Sequence, residues 1–383
     1  MAELTVRTAG ESHGPAMLAL IEGFPAGVPV DIVRIDADLA RRQGGYGRGG
    51  RQRIEADRVE VLAGVRAGRT MPGPVVLLVR NRDARLEEAP AVTRPRPGHA
   101  DLAGALKYLD PDVRNILERA SARETAGRVA AGGLAKGLLA EFGVRAAAWV
   151  TRIGPAAAAD DAGDDLDDCV RRRDASEVYC PDAEASAAMM AAIDQAREAG
   201  DTLGGMIQCV ATGLPPGLGS HTQWTRKLDG RLARAVMSIQ AIKGVEIGLG
   251  FASAERPGSR VHDAIALDEA QRDGPSAGLV RPTNRAGGLE GGMTNGAPVV
   301  LRAAMKPIST LKKPLASVDL TTRQPEEAAY ERSDVCAVPA ASVVVEAVVA
   351  TELAAAMVER FGGDSLAQMR AAQEAWQAKA REL

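Results

Sequence analysis

Gly23-Phe24-Pro25-Ala26-Gly27, followed by Asp36-Ala37-Asp38-Leu39-Ala40-Arg41, returns late in the chain as Gly213-Leu214-Pro215-Pro216-Gly217 followed by Asp229-Gly230-Arg231-Leu232-Ala233-Arg234. Each pair of blocks lies between a short apolar segment and an arginine-bearing segment with helical patterning. The shared order and similar spacing point to duplicated halves of one fold, with a period far too long for a solenoid. Around these blocks the patterning predicts an alanine-rich helix over 117–142, stopped by Gly143, and another from an Asp182 cap to Gly200. Leu228, Leu232, Val236, Ile239 and Ile242 recur at helical spacing up to Gly244, and two further helices are expected at 340–361 and 365–382. Strands are expected at 75–79, 206–211 and 299–303. Helices and short strands mix without a regular βαβ rhythm, which favours an α+β fold.

With 383 residues, the chain can hold one large core or two medium domains. Its 46 % hydrophobic and 25 % charged content is that of an ordinary soluble globular protein. A net charge of −3 gives no global attraction to nucleic acid, and 3 % aromatics leave few stacking platforms. Any anion site must therefore be a local arginine cluster. Cys169, Cys180, Cys209 and Cys336 show no zinc-like spacing, so reduced thiols and no metal site are expected. The acidic run 160–168 lacks the ligand series of a calcium loop and reads as a solvated connection between the halves. No uncharged apolar run reaches the ~20 residues of a membrane span, and the opening residues hold no apolar signal core. A cytoplasmic protein away from membranes is the expectation.

Two motifs mislead. Gly10-Glu11-Ser12-His13-Gly14 fits G-x-S-x-G, but a nucleophile elbow needs several strands ahead of it and only nine residues precede this one. Gly45-Tyr46-Gly47-Arg48-Gly49-Gly50 fits G-x-G-x-x-G, yet it follows a helical-looking stretch rather than a strand, and reads as a mobile basic loop.

Of the four histidines, His13 and His99 stand beside glycine and short polar residues in expected loops, settings that suit acid–base work. His221 is a weaker candidate, and His262, beside Val261, reads as structural. Arginines gather at Arg41, Arg42, Arg48, Arg51 and Arg53, at Arg119, Arg123 and Arg128, and at Arg332. Arg119 and Arg123, four apart, are expected to share a helix face. Solvated charge runs are one reading; a doubly anionic ligand held by guanidinium forks is the other. Lys306-Pro307-Ile308-Ser309-Thr310, downstream of Gly287-Gly288-Leu289-Glu290-Gly291-Gly292, reads either as a phosphate and ring cradle or as an ordinary hairpin.

Together these segments resemble the chorismate synthase family. The resemblance rests on residues 10–14 and 96–101, on Ser121-Ala122-Arg123-Glu124-Thr125 with Arg128-Val129-Ala130-Ala131-Gly132, on Gly291-Gly292-Met293-Thr294-Asn295-Gly296, on residues 306–310, and on Arg332-Ser333-Asp334. It runs in the family's order over about 4–361. Ala120, where many members carry serine, and Leu109-Asp110-Pro111 are departures.

The resemblance implies one domain over 1–383 in an α+β sandwich. Long central helices lie between two antiparallel sheets, with quasi-repeated halves at about 1–155 and 200–361. It also implies anti-1,4-elimination of phosphate from 5-enolpyruvylshikimate 3-phosphate to give chorismate, the last step of the shikimate pathway. Reduced FMN is required with no net redox change. In the family's roles His99 protonates the departing phosphate, and His13 protonates or hydrogen-bonds the flavin. Asp334, with Ser12, helps the flavin take the substrate proton. FMN would be lined by Arg119, Ala120, Ser121, Gln240, Ala241, Gly291, Lys306, Pro307, Ile308, Ser309, Thr310 and Arg332. Arg42, Arg48 and Arg123 would bind the phosphate of the substrate or of NADP, and Arg332 is a further candidate for the substrate. A homotetramer is implied. No separate reductase domain is visible, so an external flavin reductase is expected, with NADPH only an indirect source of reducing equivalents. A serine hydrolase and a catalytically silent flavin- or anion-binding protein are the rival readings. Labelling of Ser12 by a fluorophosphonate would favour the first, and absence of turnover the second.

Overall fold

The computed structural model describes residues 3–49, 55–159, 165–331 and 334–382. Two antiparallel sheets carry the architecture. In the first, β1 (Thr5–Ala9), β2 (Ala16–Glu22), β3 (Val59–Ala63) and β4 (Val75–Arg80) lie in the order β1-β2-β4-β3. Along β2, Met17, Ala19 and Ile21 are buried while the residues between them are half-buried, the period-2 alternation of a sheet with one face on the core. In the second, β5 (Arg145–Ile153), β6 (Ala156–Ala157), β7 (Gly205–Thr212), β8 (Ile242–Ile247) and β9 (Val299–Met305) lie in the order β8-β9-β7-β5-β6. Without the two-residue β6, its strands follow the same first-second-fourth-third sequence as the first sheet.

The helices are α1 (Ile32–Gln43), α2 (Asp101–Tyr108), α3 (Arg114–Ala120), α4 (Thr125–Ala140), α5 (Leu166–Asp174), α6 (Ala183–Ala199), α7 (Leu228–Met237), α8 (Val338–Phe361) and α9 (Leu366–Ala380). Helix α4 packs on β1, β2 and β4, α8 packs on β5 and β7, and the two helices pack on each other. Their approach depends on Gly132: a Cβ there would stand 2.4 Å from the Ala347 Cβ. Helix α8 is apolar and long enough to cross a membrane, but most of it is buried inside the protein, as a central core helix is. Of its three glutamates one is buried. Glu346 is fully buried and pairs with Lys136 of α4, with Arg41 of α1 at 2.7 Å and with Arg173 of α5 at 3.0 Å, while the Ala148 N–H donates to it at 2.9 Å. Burial penalises this carboxylate most, yet the three cations outweigh that and hold it well below the usual carboxylate range.

The helices from Asp182 to Gly200, at 340–361 and at 365–382 form within a few residues of expectation. Asp182 accepts from the Ala185 N–H, Gly200 closes its helix at φ 74°, and Ser365 forms a capping box with Gln368. The expected strands form as well. Three expectations fail. The helix over 117–142 breaks at Ser121, whose extended backbone (φ −61°, ψ 143°) separates α3 from a short 3₁₀ turn and α4. The helix through Ile242 stops at Met237, because Ala241 turns left-handed (φ 67°) and Ile242 opens β8. Within the acidic run, residues 160–164 lie outside the described residues, while Asp165 caps α5 by accepting from the Asp167 and Asp168 N–H groups. That end of the run is a helix start rather than a loop.

Candidate active site

Residues 10–14 form the turn between antiparallel β1 and β2. This is not the strand-to-helix turn of a hydrolase. Ser12 is 2 % exposed and its Oγ accepts from Ser121 Oγ at 3.1 Å. Asn81 stitches the turn by donating to the carbonyls of Gly14 at 2.7 Å and Glu11 at 3.0 Å. His13 is held from behind: Glu118 Oε2 accepts from its backbone N–H at 2.8 Å, and Glu118 Oε1 lies 2.8 Å from its Nδ1. Its Nε2 lies on the other side, 3.8 Å from Asp83 Oδ2. Burial alone would raise the Glu118 carboxyl, but hydrogen bonds from His13, with Arg114 behind them, keep it below the ordinary value.

His99 has the same kind of support. Its Nδ1 bonds Asp101 Oδ1, and Asp101 also accepts from Arg96 Nε at 2.8 Å and from the Arg96 backbone N–H at 3.1 Å. Burial penalises the Asp101 carboxylate, and the bonds from His99 and Arg96 overcome that penalty and hold it far below the usual range. Arg96 Nη1 reaches Thr310 Oγ1 at 3.3 Å, tying this loop to the 306–310 segment. A Cβ on Gly98 would stand 3.8 Å from Lys306 Nζ.

Arg42, Arg48 and Arg123 converge. Asp57 is shared by Arg42 Nη2 at 2.5 Å and Arg123 Nη1 at 2.7 Å, while Arg123 Nε donates to Asn81 at 2.7 Å. Burial pushes the Arg42 guanidinium below its ordinary value, Asp57 opposes this, and Arg123 and Arg48 push it further down. Arg48 pairs with Asp334 at 3.0 Å. The Nε groups of Arg42 and Arg48 are buried donors without a hydrogen-bond partner among the described residues. Two such donors, beside several guanidinium groups, await an acceptor, and an anion supplies one. Arg119 and Arg123 do not share a helix face, because the break at Ser121 sends them apart. Arg119, in the last turn of α3, is half-exposed and donates to the carbonyls of Thr8 at 2.8 Å and Gly10 at 3.0 Å.

Most of the expected flavin residues form a continuous belt. Arg119 lies 4.0 Å from Glu124, which accepts from Gln240 Nε2 at 3.2 Å. Ala241 accepts from the Lys306 N–H at 2.9 Å, and Thr202 donates to the Ile308 carbonyl at 2.8 Å. Gln240 Oε1 is buried without a partner among the described residues, which suits a ring N–H donor. Arg119 and Ala120 also line an open cavity of about 520 Å³ with Tyr108, Asp110, Asn115 and Ile116. Gly291 stands apart. It turns the hairpin of Leu289–Glu290 with Met293–Thr294, and Gly292 accepts from Leu228 at the start of α7, whereas Gln240 follows the end of that helix. At 1.5 Å per residue the helix separates them by roughly 15 Å. Arg332 lies outside the described residues, as do Arg51 and Arg53. Its neighbour Glu331 accepts from Arg114 Nη2 at 3.1 Å.

Other expectations need correction. His262 is exposed rather than structural, and His221 is exposed too. The described part of the basic loop is pinned: Tyr46 donates to Glu177 through its backbone and to Asp194 through its hydroxyl, and Val335 donates to the Gly47 carbonyl. Leu109 ends α2 in left-handed conformation, 89 % exposed. Sequence reading missed Glu118, Asp57, Asn81 and Arg114, ordinary polar residues with partners far away along the chain. Asp101 alone had a signal, two residues from His99.

Fold and site thus define a mixed α/β enzyme with a buried arginine cluster and two carboxylate-backed histidines. A profile of chorismate synthase matches residues 4–358. The chain is 60 % identical to chorismate synthase of Symbiobacterium thermophilum over 94 % of this chain and 95 % of that one. It is 57 % identical to that of Geobacter sulfurreducens, over 95 % of each. A crystal structure of chorismate synthase covers the whole chain and 99 % of its own, at TM-score 0.81 and 40 % identity. The chain belongs to the chorismate synthase family.

Proposed function

We propose that this chain removes phosphate and a ring hydrogen from 5-enolpyruvylshikimate 3-phosphate by anti-1,4-elimination, forming chorismate at the end of the shikimate pathway. The observation that carries this is the convergence of Arg42, Arg48 and Arg123 beside the Glu118-backed His13 turn, with Asn81 bridging the two. Reduced FMN, when bound, would supply an electron that helps expel phosphate and would recover it as the unactivated ring hydrogen departs. Arg119, Ala120, Ser121, Gln240, Ala241 and the 306–310 segment would hold FMN; the orphaned Gln240 Oε1 supports this. Burial, followed by Lys243 nearby, lowers the Lys306 ammonium below its ordinary value, and an anionic phosphate would relieve that strain.

The arginines bind and orient the substrate's anionic groups and neutralise charge where it develops. His99 delivers a proton toward the departing phosphate from Nε2. His13 hydrogen-bonds or protonates the flavin. Asp334, held by the Gly49 N–H at 2.6 Å and by Arg48, would with Ser12 help the flavin take the ring proton. Arg332 would complete the anion site, and Gly291 would reach a flavin only beyond the belt just described.

The two halves, at about 1–155 and 200–361, would be duplicated copies in one sandwich. Their matching strand orders support this, as do the left-handed glycines at equivalent turns, Gly23 (φ 70°) with Gly213 (φ 77°) and Gly27 (φ 83°) with Gly217 (φ 84°). A cytoplasmic homotetramer served by an external flavin reductase, with NADPH acting only through it, completes the reading. An anaerobic assay with reduced FMN and 5-enolpyruvylshikimate 3-phosphate tests it. Chorismate should appear while reduced flavin stays constant; equal turnover with oxidised FMN, or stoichiometric use of reductant, would overturn it.

A further inference from the structure

We infer that Glu118 and Asp101 are positioning residues that fix the tautomers of His13 and His99, so that Nε2 is the working nitrogen of both. The inference rests on the reading of these histidines as proton-handling groups and adds what selects the nitrogen. Both histidines meet a buried carboxylate through Nδ1, and in both an arginine stands behind the acid: Arg114 Nη1 at 3.4 Å from Glu118 Oε1, Arg96 Nε at 2.8 Å from Asp101 Oδ2. An ionised carboxylate has lone pairs and no proton, so it can only accept. The nearest neighbour of each Nδ1 is the carboxylate, with Arg96 Nη2 farther from the His99 Nδ1 at 3.1 Å, so the proton between each pair sits on Nδ1, which leaves Nε2 of the neutral ring as a base and that of the charged ring as an acid. Both carboxyls stay ionised for the reasons already given, so neither can reverse the polarity of its bond.

The geometry is over-determined at each acid. Glu118 Oε2 is held by the His13 backbone N–H at 2.8 Å, and Asp101 Oδ2 by the backbone N–H and Nε of Arg96. One oxygen is thereby committed to the shorter donors, while the other faces imidazole and takes a longer bond from arginine, Arg114 Nη1 at 3.4 Å on Glu118 Oε1 and Arg96 Nη2 at 3.2 Å on Asp101 Oδ1. In Glu118→Gln or Asp101→Asn the remaining oxygen stays with those donors, because turning the amide would set N–H against N–H at 2.8 Å, closer than the arginine contacts at 3.4 and 3.2 Å that the NH2 meets otherwise. The NH2 then falls on Nδ1, which has to accept, and the proton moves to Nε2. The same side-chain volume is kept with the tautomer inverted.

The test is 15N NMR of the histidine-labelled full chain, whose four histidines give a tractable spectrum. His13→Gln and His99→Gln assign the signals. Wild type should show the Nδ1–H tautomer for His13 and His99. Glu118→Gln should convert only His13 to Nε2–H, and Asp101→Asn only His99. Turnover should fall about 10- to 100-fold in each variant, with the KM for substrate changed less than about twofold, a split that loss of packing would not give. An unchanged tautomer in both folded variants overturns the inference. Inverted tautomers with wild-type turnover would instead sink the proton-handling role of the histidines while leaving the positioning intact. If either amide variant fails to fold, the wild-type spectrum still decides: Nε2–H tautomers there would refute the assignment.

Discussion

Arg48 Nη1 lies 3.0 Å from Asp334 Oδ2, and the next residue, Gly49, donates its N–H to the other oxygen of the same carboxylate at 2.6 Å. Asp334 therefore clasps the arginine loop to the segment that enters α8. It leaves Arg48 Nε buried without a partner among the described residues. An arriving anion would meet a guanidinium already aimed, with that donor still to be paired.

Arg48→Ala should weaken substrate binding about ten- to a hundredfold, the loss of one charge-assisted contact of roughly 1.5–3 kcal/mol. FMN affinity should change little. Calorimetric titration with substrate, with and without FMN, measures both. Weakened flavin binding with an unchanged substrate constant would move Arg48 to the flavin.

His13→Ala and His99→Ala should each lower turnover by about 10²-fold or more while keeping the fold. Both rings lie on turns at the edge of the core, so truncation removes little packing. Steady-state rates alongside melting curves check the pair, and wild-type rates in both would withdraw the assignment.

Asp57→Asn should be costly to stability. Its carboxylate is shared by two buried guanidinium groups, and neutralising it leaves both with their charge poorly compensated. Breaking a buried pair in this way costs about 3–5 kcal/mol. Urea unfolding at neutral pH should show the loss, and binding by the arginine cluster should suffer as well.

Acid should unfold this protein through its buried carboxylates. Glu346, Asp101, Glu118 and Glu124 all titrate below their ordinary values in the folded state. A depressed folded pKa contributes stability that is complete above the unfolded value and is lost as pH falls toward the folded one. Stability should thus be insensitive to these groups at pH 6–8, begin to fall near the ordinary glutamate value of 4.5, and keep falling below it. Glu346→Gln should flatten the acid limb and reduce stability at pH 7. Unfolding free energies measured across pH 3–8 give the slope; a flat acid limb in wild type would contradict the expectation.

Gly132→Ala should destabilise by about 1–3 kcal/mol, the usual cost of overpacking a core. Its new Cβ would press on Ala347 across the α4–α8 contact, where backbone atoms also lie within 2.7 Å. Chemical denaturation measures it.

Local rules were enough for much of this protein. The capped helices at 182–200 and 365–382 follow from residues within one turn of each end, and the apolar runs at 75–79, 206–211 and 299–303 allow little but strand. The motifs that carry the family resemblance are also local, so His13, His99, Asp334 and the arginines were legible as candidates. What the chain alone left open depends on partners distant in sequence. Ile242 fits a helical period and a strand equally well, and its pairing opposite Met305 decides the matter. Ser121 lies in a run of good helix formers, yet its hydroxyl bonds Ser12 and accepts from the Arg123 N–H, holding the backbone extended and turning Arg119 and Arg123 apart. Nothing near Glu118 or Asp57 signals that one holds a histidine and the other two arginines. Periodicity and caps are written over a few residues, whereas the placement of a buried charge is fixed by whichever opposite charge the folded core brings to it.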